Sequence, residues 1–454
     1  MSVSSSAIAS IVGDLAGDVG TGFNVQGVVA AIIAADSTPM TDMQQQQSGF
    51  NSQISDLNNI SSLMSTLQSS IQDLSDIDSP ISAQAATSSN TNVLTATGSN
   101  TATPGTHTIV VNNLATTASW YSQTEESSAT ATLTTGSFQI QAPGASSPTT
   151  IPVDASDGTN TLNGLASYIN GQGLGVTASV ITDSGGARLS IVSNSSGGAG
   201  NFTISNDTTG MNFTQPVTGV DASLTVDGVP IDSASNTVTT AIPGVSLNLL
   251  SAPQNNSTTV TVSPDTTQVS DTINNFVSAY NAVVQAINTQ YTVNSNSQTG
   301  DLASDSTLAL VQAQLGQDVN FSDPGNPSFI NLASMGINMN DDGTLTVDSS
   351  ALNSAVTNNY QDFINFFQNA GSSGFAQSFN SDLTNMLSPN GLIATDVNGL
   401  NQNVQGLADQ ISQFQANLSD QQQALTTEFS QIDATLEELP SLEDQVKAQL
   451  SGIS

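Results

Sequence analysis

Two long amphipathic stretches, one near each end of the chain, constrain this sequence more than any other feature. In the first, apolar residues fall at Met40, Met43, Phe50, Ile54, Leu57, Ile60, Met64, Leu67, Ile71 and Leu74, with Gln47 holding one place in the series. The steps alternate three and four, with one doubled three across Leu57, which is a heptad seam carrying a local stammer. Thr38 followed by Pro39 supplies a capping residue and a first-turn proline, and Pro80 stops the run. Gln44 to Gln47 then occupy about one turn; glutamine forms helices well and needs no counter-charge.

The second stretch runs Ile393, Val397, Leu400, Val404, Leu407, Ile411, Phe414, Leu418, Leu425, Phe429, Ile432, Leu436 and Leu439, with Gln421 on the seam and a shift near Leu425. Pro440 is expected to break it, and Ser441 to restart a helix behind it. Each stripe could pair with a core of its own. The reading adopted is that the two helices pack antiparallel on each other as a coiled-coil leg, so that everything between them is an insertion. Stripes this long, on helices with almost no Lys or Glu to form partner-selecting ion pairs, also suit association with a similarly apolar-seamed protein. Candidate seam positions are Met43, Phe50, Ile54, Leu57, Met64, Leu67, Leu407, Ile411, Phe414 and Leu418.

The insertion reads differently. Residues 86–262 are rich in Thr, Val, Gly and Ser with many turn dipeptides, an all-β signature. THTIVVNNL (106–114) alternates, and SLTVDGVPI (223–231) reads as strand, Asp227-Gly228 turn, strand. The segment 119–218 carries its own strands, including GARLSIVS (186–193) and GNFTISN (200–206), and one helix, TLNGLASYI (161–169). It reads as a second β unit interrupting the first. Helices return at 265–291, 306–319 and 348–369, with a hairpin at 337–348. GFNVQGVVAAIIAADS (22–37) reads as a short helix with Asn24 as its cap, while 1–22 is Ser-, Gly- and Ala-rich.

Charge excludes several functions. Of 454 residues only two are Lys or Arg against 37 Asp or Glu, a formal net charge of −35. Neutralising nucleic-acid phosphates takes several cations, and an anionic membrane surface is an equally poor partner. VQGVVAAIIAA (25–35) is too short for a bilayer, which takes about 20 apolar residues. The N-terminus has no basic residue of a cleaved secretory signal, and no cysteine provides disulfide or thiol chemistry.

Catalysis has little to work with. His107 is the only histidine and shares a strand face with Ile109 and Val111, so it is expected to pack or hydrogen-bond. NMNDDGTLTVDS (338–349) resembles part of a calcium loop, but Ser349 stands where a bidentate Glu is required, and a tight Asp342-Gly343 hairpin turn explains the same letters. Adjacent acids such as Asp341/Asp342 and Glu437/Glu438 read as solvated faces. No catalytic residue, metal site or cofactor is expected.

Taken in order, GFNVQGVVAAIIAADSTPMTDMQQQQSGF, then AATSSNTNVLTATGSNTATPGTHTIVVNNLAT (85–116), ASLTVDGVPIDSASNTVTTAIPGVSLNLL, VSDTINNFVSAYNAVVQAIN, GDLASDSTLALVQAQL and GINMNDDGTLTVDSSAL resemble the flagellar filament cap family, also called flagellar hook-associated protein 2. The resemblance spans about residues 22–436. It implies an α+β, multi-domain structural protein with a leg of coiled terminal helices and β-rich heads. Several copies would form a plate at the distal, extracellular end of the flagellar filament, retaining exported flagellin subunits and guiding their insertion. Export would use the flagellar type III machinery. The expected division is a flexible export and docking segment (1–37), a helical leg (38–85 plus 263–439), an inner β head (86–118 plus 219–262), an outer β head (119–218) and a flexible tail (440–454). Two other readings are a hook-filament junction protein and a surface adhesin binding host glycans through its β heads. The family usually carries far more Lys and Arg, so its inter-subunit ion pairs do not transfer here.

A surface of uncharged polar groups, whose carboxylates hold few cationic partners, loses little when pH falls. The melting temperature is therefore expected to hold between pH 7 and pH 4 in thermal scans, and a collapse across that range would contradict this reading.

Overall fold

A computed structural model describes residues 24–76, 78–253, 256–293, 299–369 and 374–451. The expectations placed on 1–23, including most of the export segment, and on 452–454 lie outside the described residues. Helix α1 (Val25–Asp36) is capped by Asn24, whose side chain accepts from the Gly27 N–H, and α2 (Thr38–Gln72) follows at once behind Pro39. Val28 and Val29 of α1 are buried, so this part of the expected flexible end is a docked helix. After the β insertion come α4 (Thr266–Tyr291) and α5 (Ser306–Val319); α3 (Leu162–Gly171) lies within the insertion. Then follow α6 (Ser349–Asn358), α7 (Tyr360–Gln368), α8 (Phe375–Leu387) and α9 (Leu392–Ser451).

The structure differs from the sequence reading at three places. The single helix expected over 348–369 is two, parted at Asn359, whose backbone (φ −136°, ψ 43°) leaves the helical region. Helix α8 was not anticipated: its stripe of Phe375, Phe379, Leu383 and Met386 is short and falls in the gap before the second heptad run. Pro440 does not end α9, which runs through it to Ser451. The carbonyl that Pro440 leaves unpaired, four residues back at Leu436, sits on an exposed stretch where water can satisfy it.

Three separate cores organise the molecule. The largest, in the leg, gathers Leu57, Ile60, Met64, Leu67 and Ile71 of α2 with the inner face of α4, the buried sides of α5 to α8, and Ile393 and Leu400 of α9. Phe375 sits at its centre, with Phe276, Phe366, Phe367 and Phe379 at ring-centroid separations of 5.7, 5.8, 5.7 and 5.7 Å. Asp265 and Asp305 cap α4 and α5 by accepting backbone N–H bonds, which fixes where each helix enters this core.

The second core lies between two antiparallel sheets. One has the spatial order Gln84–Ser88, Ser257–Pro264, Gly105–Asn113, Ala222–Val226, Val229–Ser233; the other is Thr237–Ile242, Val245–Leu249, Leu94–Gly98. The Asp227-Gly228 turn takes positive φ at both positions (51° and 84°), the two-residue hairpin geometry that needs glycine second. The third core packs α3 with a four-stranded sheet (Phe213–Val217, Thr117–Ser122, Ala187–Ser196, Val176–Thr182) and a three-stranded one (Thr149–Val153, Gly136–Gln141, Thr203–Ser205). Polar bonds join the two β units: the Ser196 hydroxyl donates to the Ala234 carbonyl at 2.6 Å, and Asp221 accepts from the Gly198 N–H at 2.7 Å. The architecture is α+β and multi-domain.

Truncating Phe375→Ala removes a ring packed on all sides and is expected to cost about 3–5 kcal/mol. Chemical denaturation should show the helical transition shifting by that amount while the near-UV signal of Trp120, in the outer β unit, keeps its midpoint.

Candidate functional site: the helix seam and its open end

Helices α2 and α9 run antiparallel. The Gln47 amide donates to the Val404 carbonyl at 3.2 Å, and the Gln421 amide donates to Asp36 beyond the start of α2 at 2.8 Å. Further along, Asn58 and Ser61 face Ile393, Ala394, Val397 and Asn398 across a cavity of about 200 Å³. The contacts that fix this register come from uncharged side chains and one aspartate. That is how a chain with two basic residues must build them.

The seam is graded. Leu57, Met64 and Leu67 are fully buried in the leg core; Met43, Phe50 and Ile54, nearer the start of α2, are half-buried. On α9, Ile411 and Leu418 are buried while Leu407 and Phe414 are half-buried. The stammer at Leu57 falls where α2 acquires new neighbours: Gln290 of α4 donates to Asp56 at 3.0 Å, and Gln53 donates to the Asp301 carbonyl at 2.9 Å. A repeat that serves one partner on one side of Leu57 and several on the other has reason to change phase there. Because Leu57, Met64 and Leu67 bury their apolar surface inside their own chain, the surface left for a partner lies elsewhere.

That surface is the far end of α9. From the Asp36–Gln421 contact, equal rise along two antiparallel helices brings Val25 level with Ile432. There burial stops. Ile432, Leu436, Leu439, Leu442, Val446 and Leu450 are 43–64% exposed, and their spacing keeps them on one helical face. The heptad rule marked Ile432 to Leu439; because α9 runs unbroken through Pro440, Leu442, Val446 and Leu450 extend the same face. Lys447 bonds Glu443 at 2.9 Å along this segment.

The residues weighed for catalysis are structural. His107 Nδ1 lies 2.8 Å from Asp227, which also accepts the Thr108 N–H at 2.8 Å. That backbone bond, and then the imidazole, hold the Asp227 carboxyl below its ordinary range. Asp342 accepts from the Thr344 N–H and hydroxyl at 3.0 and 2.6 Å in the hairpin joining Ile337–Met339 to Leu345–Val347. Arg188 donates to the Ser122 and Gln123 carbonyls and pairs with Glu125 at 3.4 Å, so its charge is committed locally. A cavity of about 310 Å³ opens beside it on the outer sheet, lined by Trp120, Tyr121, Ile181 and Pro216 among others. Among the described residues no group of three His, Asp or Glu could hold a metal ion, and no helix is long and apolar enough to cross a membrane.

Similarity to known proteins follows the same division. Family models for the N-terminus and C-terminus of flagellar hook-associated protein 2 match residues 21–118 and 219–441, and a flagellin hook IN motif matches 137–195, within the outer β unit. The B-type flagellar hook-associated protein 2 of Pseudomonas aeruginosa is 28% identical over 82% of this chain and 84% of its own. The flagellar hook-associated protein 2 of Escherichia coli K12 is 28% identical over 96% and 98%. The crystal structure of the flagellar cap protein FliD D1-D2-D3 domains from Escherichia coli superposes with a TM-score of 0.61 at 28% identity, covering 76% of this chain and 99% of that one.

The seam and its open end separate under substitution. Leu67→Asp places an unpaired carboxylate in the leg core and should cost several kcal/mol, of order. Leu436→Asp, on the exposed face, should change monomer stability by no more than about 0.5 kcal/mol. Far-UV circular dichroism melting of the two variants distinguishes a graded seam from a uniformly buried one. With its paired terminal helices, its nested β units and matches that extend from residue 21 to 441, the chain belongs to the flagellar hook-associated protein 2 family.

Proposed function

We propose that this protein is the structural cap at the distal end of a bacterial flagellar filament, where copies of it form a plate that retains exported flagellin and promotes its assembly. The observation that carries the reading is the open apolar face of α9, Ile432 to Leu450, at the end of a leg whose Leu57, Met64 and Leu67 are buried inside the chain itself. A contiguous apolar face of this kind marks an interaction site. It suits a partner with an apolar helical surface of its own. The half-buried flank of the seam, Met43, Phe50, Ile54, Leu407 and Phe414, is the surface assigned to neighbouring subunits.

No covalent step is needed. A cap works by position: a leg anchored at the tip holds the β heads as a cover under which subunits fold and insert. The N-terminal segment serves export through the flagellar type III machinery, and the protein acts outside the cell. A solved relative from Escherichia coli is a flagellar cap protein, which supports this reading. The related junction and adhesin functions find no comparable support in the open α9 face.

A strain lacking the gene should release unassembled flagellin into the medium and grow short or no filaments. Antibody labelling of the complemented strain should mark the filament tip in electron micrographs. The Leu436→Asp/Leu439→Asp double variant should be exported and folded but fail to restore filament growth. Full-length filaments in the deletion strain would refute the cap reading; full complementation by the double variant would refute the role of the α9 face.

A further inference from the structure

The joint between α5 and α8 holds two acids and no base. Asp318, in the last turn of α5, is only 8% exposed, and Asp382 projects from α8 to meet it. The Gln314 side-chain amide donates to both, at 2.9 Å to Asp318 and 3.2 Å to Asp382. The second carboxyl oxygen of Asp318 is buried with no donor to satisfy it; the other polar group beside it is the Asp382 carboxyl. The other groups that face α5 are Tyr280 from α4, beside Asp318, and Asp396 from α9, which meets Asp305 and Thr307 at the opposite end of the helix. Neither brings positive charge. Arg188 is tied to Glu125 in the outer β unit and Lys447 to Glu443 on the exposed end of α9.

A buried anion with no cation must be neutralised in another way. We propose that Asp318 and Asp382 share one proton, so that the α5–α8 joint is closed by a carboxyl–carboxylate hydrogen bond in acid and neutral media and loosens when that proton is released to solvent. The O–H satisfies the orphaned oxygen, Gln314 stabilises the remaining negative charge, and the pair carries one charge rather than two. The carbonyl end of α5 also disfavours a second negative charge there.

The sign of the pH dependence follows. Burial first, and then the neighbouring Asp382, push the Asp318 carboxyl up from an ordinary 3.8 to about 7. The folded protein therefore binds more protons than the unfolded chain between those values, and stability falls as pH rises through that window. Burial, with Asp318 nearby, likewise pushes the Tyr280 hydroxyl to about 12, so it stays neutral throughout. Asp396 at the far end of α5 is also raised, by burial and then by Asp305, and acts in the same direction.

Thermal melting of the full chain should give a midpoint about 2–4 °C higher at pH 5 than at pH 8. Asp318→Asn, which mimics the protonated acid, should flatten that difference chiefly by raising the midpoint at pH 8, and Asp382→Asn should do the same. A wild-type midpoint that is level or rises from pH 5 to pH 8 would overturn the proposal, as would an unchanged slope in both variants. Infrared difference spectra of the wild type give a reading that needs no variant. A protonated-carboxyl stretch should persist at pH 6, where solvent-exposed carboxyls have lost theirs; its absence would contradict the shared proton.

Discussion

The burial of one face of α2 between α4, α8 and α9 is the interaction on which the rest of this structure depends. It joins residues near the two ends of the chain, and so turns everything between them into an insertion with its own cores. In most proteins such a join would be reinforced by ion pairs along its edges. Here two basic residues against 37 acids leave almost none to make, and the leg relies on Leu, Ile, Met and Phe inside and on Gln, Asn and Thr amides and hydroxyls at the margins. The bond from Gln47 to the Val404 carbonyl shows the substitution directly: an amide does at the seam what a lysine–glutamate pair would do elsewhere.

The same shortage shapes the polar interior. An acid taken into the leg core cannot find a cation, so Asp318 is left beside Asp382 and a glutamine, where a proton is the one partner available. The β units avoid the problem by using serine, threonine and asparagine at their junctions, and by committing Arg188 and His107 each to a single local acid. Low charge on the surface and proton-sharing inside are consequences of one compositional fact.

Much of this was legible in the sequence because its elements are long and periodic. The helix expected over 265–291 is α4, which buries Val269 to Ile287 along one face, and α5 has the bounds its pattern gave, since Asp305 caps it and its apolar stripe ends at Val319. The Asp227-Gly228 hairpin followed from backbone sterics alone. What escaped was decided by context. Helix α8 is too short for its period to stand out, and the split at Asn359 depends on how the two flanking helices turn into the Phe375 cluster. Pro440 is a helix breaker by local rules, yet it is carried inside a helix whose exposed carbonyls water can serve. The open face of α9 was half visible as a heptad run. Nothing in its residue types separates an apolar position that the chain covers, such as Leu418, from one that it leaves open, such as Leu436.

The antiparallel register of α2 on α9 supports both the leg and the position of its open end, and it can be measured without disturbing the fold. Since the chain has no native cysteine, Gln47→Cys with Val404→Cys introduces two thiols in an otherwise unreactive protein. A short bis-maleimide should link them within one chain, giving a monomer of altered mobility. Gln47→Cys paired with Gln431→Cys, about 40 Å further along α9, should not link within the chain. Efficient linkage of the second pair within single chains, or linkage of the first only between chains, would contradict the fold on which the account rests.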